Sequence, residues 1–174
     1  MDYSIEKATI ADAEGIIRYL NIVGAETDNL TFGSEGISIT VEEERNYITA
    51  LNSSTSSVMF IAKRDSCIVG VASYTGMDSK ARLRHRGELA ISVLKAEWGN
   101  GLGSRLMETV IDFARDTAQA EIISLEVRGD NARAIHLYKK YGFEKIGHFR
   151  GFFKIDGQLV DCDLMNLYLY ENQT

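Results

Sequence analysis

Glycine stands at every second position, Gly99, Gly101 and Gly103, inside the stretch AEWGNGLGSRLMETVIDFA that spans residues 96–114, with an amphipathic helical pattern directly behind. Ordering glycine costs more backbone entropy than ordering any other residue, so the spacing reflects a geometric demand that side chains would obstruct. A glycine-rich turn opening a helix gathers several backbone N–H groups at the positive end of the helix dipole, and the missing Cβ atoms let phosphate oxygens approach. A charge-assisted hydrogen bond contributes roughly 1.5–3 kcal/mol and the dipole about 0.3–1 kcal/mol, so three or four amides can hold a diphosphate before any cationic side chain is added. Gly99, Asn100, Gly101, Leu102, Gly103 and Ser104 are the expected cradle; a tight strand-to-helix connection without a ligand is the competing reading. A P-loop requires a lysine that GLGSRL lacks, and a dinucleotide fingerprint requires a different glycine spacing directly after a strand.

The elements that position this turn can be read from periodicity. A strand is expected around Tyr3 to Lys7, followed by a helix with apolar Ala13, Ile16, Ile17 and Leu20 on one face, capped by Thr9 or Asp12. Thr40 and Glu43 form a capping-box pattern ahead of a second helix. VMFIAKR and CIVGVASYTG flank the dipeptide DS as two strands of a hairpin, and RLRHRGELAISV follows as a longer strand. Behind the glycines, Leu102, Leu106, Val110 and Ala114 recur every fourth residue. EIISLEV is the next strand, NARAIHLYKKYG a helix stopped by Gly142, and FEKIGHFR, GFFKI and QLVDCDLMNLYL supply the closing strands. The order β-α-α-β-β-β-α-β-α-β-β describes an α/β chain with a mixed sheet covered by helices.

Composition bounds the function. At 174 residues one domain is expected, large enough for its own core. Cys67 and Cys162 make no ligand-spaced pair, which fits a reduced, cytoplasmic protein. No apolar run approaches the ~20 residues of a membrane span, and the N-terminus carries no export pattern. A net charge of -6 argues against nucleic acid and favours a cationic small molecule or peptide. His85, His136 and His148 have no triad or metal spacing, so no metal is expected, and Lys139–Lys140 reads as a solvated helix face.

ELAISVLKAEWGNGLGSRLM, followed about 25 residues later by NARAIHLYKKYGF, resembles the GNAT superfamily of acetyl-CoA-dependent N-acetyltransferases. The resemblance implies an acyl-CoA N-acyltransferase fold with helices on both faces of the sheet, acetyl-CoA as cosubstrate, and direct transfer to an amine. It also implies that the diphosphate lies on the Gly99–Ser104 amides, that the pantetheine arm runs along Ile91, Ser92 and Val93, and that Asn131 bonds the cofactor. Without the resemblance, an asparagine at a helix start is most often an N-cap, and Asn131 can fill both roles. One position departs from the family pattern: Trp98 stands where the loop carries Gln or Arg.

An alkyl ammonium of pKa ~10.4 is neutral at pH 7 only about once in 2,500 molecules, so its acylation needs a base, direct or through water. The resemblance assigns that role to Glu88 and makes Tyr138 the acid that serves the departing sulfur; by spacing alone Tyr138 also reads as core. Glu26, Asp28 and Phe32, between the first two helices, are the expected acceptor site, two carboxylates for an ammonium and an apolar wall. The acceptor is a polyamine, an amino acid or related small amine, or a peptide N-terminus, and a homodimer is expected by resemblance. The alternative is an acyl-CoA-binding module without catalysis.

Overall fold

The structure, a computed structural model, describes residues 2–170. Strand β1 (Ser4–Lys7) leads into α1 (Ala13–Glu26) and α2 (Val41–Ser53), then β2 (Ser57–Arg64), β3 (Cys67–Gly76) and β4 (Arg86–Val93). Helix α3 (Leu102–Asp112), β5 (Ile122–Arg128), α4 (Ala132–Lys140), β6 (Glu144–Ile155) and β7 (Gln158–Tyr168) complete the described chain. The seven strands form one mixed sheet in the order β1-β2-β3-β4-β5-β7-β6, antiparallel except between β4 and β5. Element order and α/β class match the reading of the sequence.

Local signals explain the helices. The Glu43 amide donates to Thr40 Oγ1 (3.2 Å) and the Thr40 amide to Glu43 Oε2 (2.7 Å), closing the capping box of α2. The Thr9 amide donates to Asp12 Oδ2 (2.9 Å) in the turn before α1. Gly142, at φ +87°, ends α4 in the left-handed conformation that favours glycine.

Because strand side chains alternate, each face of the sheet has its own core. Val58, Ala62, Ala72, Tyr74, Leu89, Ile123, Leu125, Val127, Met165 and Leu167 pack with α3 and α4. Met59, Ile61 and Val71 pack on the other face with Ile16, Tyr19 and Val23 of α1 and Ile48 and Leu51 of α2. Leu102, Leu106, Val110 and Ala114, the every-fourth-residue stripe, are all fully buried.

Two boundaries differ from expectation. β4 begins at Arg86 rather than near Arg82, because residues 77–85 form consecutive turns closed by Lys80 N–H to Met77 O, Leu83 N–H to Lys80 O and Arg86 N–H to Leu83 O. FEKIGHFR and GFFKI merge into the single strand β6, whose ladder with β7 is interrupted between Lys145 and Gly147 and between Phe149 and Phe153. β6 is the outer strand of the sheet, with Ile146 and Phe149 exposed and Phe149, Phe152 and Phe153 stacked edge to face. Among the described residues no helix is long and apolar enough to cross a membrane.

Leu106 is fully buried between helix and sheet. Replacing it with alanine is expected to cost about 2–5 kcal/mol in urea denaturation, because the close-packed sheet beneath collapses only partly into the space left.

Candidate active site

β4 and β5 run side by side for three pairs, Arg86–Ile122, Gly87–Ile123 and Glu88–Ser124, and then part. On its other edge β4 stays paired with β3 as far as Gly70–Val93. Leu94 N–H donates to Val69 O (3.0 Å) and Arg86 O accepts from Met77 N–H (3.1 Å), so even-numbered β4 residues turn their backbone groups toward β3. Leu89, Ile91 and Val93 therefore present theirs to the parted side. Val93 O has a side-chain partner: Trp98 Nε1 donates to it over 2.9 Å.

The parting opens a cavity of about 1110 Å³, lined by Ile91, Ser92, Val93, the glycine turn, Asn131 and Tyr138. Ser92 belongs to the β3 side by register, and its hydroxyl pairs with Tyr19 Oη of α1 at 2.9 Å, so Ile91 and Val93 form the open edge. Gly99 and Gly101 adopt φ +80° and +79°, and a Cβ at either would meet nothing within 4 Å, which leaves clear space in front of the turn. Gly101 is the residue before α3 and Arg105 N–H bonds its carbonyl, so the amides ahead of Arg105 are the free ones. Asn100 does not line the cavity; its side chain bonds the Tyr3 phenol. Asn131 is the N-cap of α4, accepting from Ala134 N–H at 3.2 Å, with its residue on the cavity wall.

The turn is moored from behind. Glu97, 1% exposed, accepts from Tyr3 Oη at 2.7 Å and pairs with Arg64 Nη1 at 2.5 Å, tying the loop to the residue ahead of β1 and to the end of β2. Glu26, at the end of α1, accepts from Lys95 N–H at 2.8 Å. Glu26, expected at the acceptor site, thus holds the loop main chain through one carboxylate oxygen, and it does not line the cavity. Asp28 does not line it either, and its carbonyl accepts from Arg128 Nη1 at 3.2 Å. Phe32 does line the cavity, against Gly24 of α1.

Glu88 is exposed on β4 beside Ala90, and both line the cleft. Across the parting stands Glu126 of β5, two residues beyond the Glu88–Ser124 pair and on the same face. Partial burial first, and the neighbouring Glu88 charge second, hold the Glu126 carboxyl above its ordinary range. Sequence reading missed Glu126, which in SLEVR looks like the solvated position of an alternating strand; its one signal is the topology that faces it toward Glu88. Asn166 of β7, opposite Ser124, adds a buried amide whose Oδ1 has no partner among the described residues. Tyr138 is 7% exposed, stacks near Phe143 at 5.8 Å, and burial pushes its phenol up to about 12. The cavity thus combines an amide turn fitted to a diphosphate, an open strand edge fitted to an extended amide-bearing chain, two carboxylates fitted to an amine, and a protonated phenol on its wall.

The sequence model of the acetyltransferase (GNAT) family matches residues 26–143. A GNAT-family acetyltransferase of Streptococcus pneumoniae, of known crystal structure, is 32% identical and superposes with a TM-score of 0.93 over 97% of this chain and 100% of that one. The L-amino acid N-acetyltransferase AaaT of Escherichia coli is 36% identical over 103 residues, 57% of this chain and 63% of the relative. The yncA protein of Salmonella typhimurium, solved with its cofactor acetyl-CoA, shares the fold at 21% identity and a TM-score of 0.85, covering 100% of this chain and 98% of that one. The chain spans 40% and 63% of the length of the first two curated relatives it matches.

The carboxylate pair makes a measurable prediction. In a carboxyl-carbon NMR titration of the free protein, Glu126 is expected to titrate above the ordinary glutamate range, and Glu88→Gln to move it down, because removing a like charge favours the ionised form. An unmoved Glu126 would mean that the two groups do not sense one another.

Proposed function

The chain belongs to the acetyltransferase (GNAT) family, and we propose that it transfers the acetyl group of acetyl-CoA to a primary amine of a small molecule or peptide, directly and within a ternary complex. The observation that carries this reading is the joining of the glycine turn and the unpaired β4 edge in one cavity. When bound, acetyl-CoA supplies a thioester, a carbonyl electrophile attached to a good leaving group. The chain's own groups bind and move protons around it. Amides of the turn from Gly99 to Ser104 grip the diphosphate, and Ile91 and Val93 bond the pantetheine arm as a neighbouring strand would.

Glu88 and Glu126 serve the amine. A carboxylate held above its usual range is a better proton acceptor, and a second carboxylate beside it attracts the ammonium form. Tyr138 keeps its proton across the physiological range, so its Oη can donate to the sulfur as charge develops there. Neither cysteine lines the cavity, which agrees with transfer that uses no thiol of the enzyme. Phe32 contributes an apolar wall on the acceptor side.

Thiol release from acetyl-CoA across a panel of amino acids, polyamines and peptides with free N-termini tests the proposal. Amine-dependent release is expected with at least one class; calorimetric binding of acetyl-CoA without any such release would instead describe a non-catalytic binding module. Tyr138→Phe is expected to lower kcat on the order of 100-fold with the acetyl-CoA Kd nearly unchanged, since it removes a proton donor and little contact area.

A further inference from the structure

Trp98, the departure from the family's loop pattern, touches both halves of the cavity. Its Nε1 holds Val93 O at 2.9 Å, the last carbonyl of the open edge, and the Arg133 guanidinium lies over its ring, 4.6 Å from the centroid. Arg133 occupies the second position of α4, and it lines the cavity with Trp98, Gly99, Gly101, Ser104 and Asn131. Among the described residues Arg133 makes no ion pair. Stacking uses the face of a guanidinium and leaves its N–H edge free, and that edge is the part that bonds phosphate in a planar fork.

We propose that Arg133 is the side-chain ligand of the coenzyme A diphosphate and that Trp98 is its positioning residue. The assignment rests on the reading that the Gly99–Ser104 turn receives the coenzyme. The turn amides carry no net charge, so a diphosphate held by them alone keeps both of its negative charges uncompensated. A guanidinium parked on the indole at the same mouth supplies the missing cation, already oriented, so less rotamer freedom is lost on binding. Because the same indole grips Val93 O, the phosphate end and the strand-pairing end of the site share one support.

The test uses the whole chain with three probes: coenzyme A, 3′-dephospho-coenzyme A, and S-acetylpantetheine, which has no phosphate. Arg133→Ala is expected to raise the calorimetric Kd of both nucleotides by on the order of tenfold while leaving the KM for S-acetylpantetheine within about twofold. Arg133→Lys should recover only part of the loss, because an ammonium does not lie flat on a ring. Trp98→Phe keeps a ring beneath Arg133 but removes the bond to Val93, so it should raise the S-acetylpantetheine KM more than the nucleotide Kd. Unchanged nucleotide binding in Arg133→Ala would overturn the assignment, as would an equal loss for S-acetylpantetheine or a loss seen with coenzyme A but not its dephospho form. A wild-type protein that binds none of the three would overturn the coenzyme reading itself, and the assignment with it.

Discussion

The parting of two parallel strands after three residues of contact is the constraint on which the remaining architecture depends. A strand edge inside a sheet normally spends its N–H and C=O groups on its neighbour, and leaving such groups unpaired in a dry interior costs roughly 1–3 kcal/mol each. The cleft keeps Ile91 and Val93 beside a cavity instead, where solvent or an extended ligand can bond them. β4 survives the loss because β3 pairs it from Gly87 to Val93, and β5 because β7 pairs it from Ile122 to Arg128. The rear of the gap is bridged by α3 and α4, whose buried side chains join one core with residues from β2, β3, β4, β5 and β7.

The same constraint explains why so many buried or half-buried polar groups converge on the segment from Leu94 to Trp98. A turn whose outer amides are left free is not fastened by those amides, so it is fastened by its other atoms. Glu26 takes the Lys95 N–H, Glu97 reaches Tyr3 and Arg64, Trp98 takes the Val93 carbonyl, and Arg105 Nη2 reaches back to the Tyr3 carbonyl at 3.1 Å. A buried carboxylate is tolerated only with partners that offset its lost hydration, and a phenol and a guanidinium both meet Glu97. Tyr3, just ahead of the short edge strand β1, thereby helps to set the position of a loop more than ninety residues later.

Most elements were legible because their signals are local: three-to-four spacing in α1 and α3, the Thr40–Glu43 box, branched residues in β2 and β3, and Gly142 as a stop. The glycine turn was legible for the same reason, since its spacing has few other uses. What the sequence hid is long-range. Glu26 looks like an acidic residue at a polar loop, and only the fold brings a backbone N–H from 69 residues away to its carboxylate. Glu126 alternates with apolar neighbours like any solvated strand position, and its carboxyl is held above the ordinary range by burial first and by Glu88, delivered beside it by β4, second. Trp98 interrupts a pattern, and nothing in its neighbours in sequence announces that Arg133, on another helix, will settle on its ring.

The outer strand β6 carries a consequence for the protein's behaviour at high concentration. Long, flat, apolar edges are templates on which further chains stack into fibrils, and β6 has the length and exposed Ile146 and Phe149 to invite it. Its two breaks in register, with Gly151 between residues of the second at φ +65°, bend the strand and put its main-chain groups out of step with any straight newcomer. Aromatic surface can thus sit at the margin of the sheet while the irregular backbone beneath it discourages amyloid-like growth.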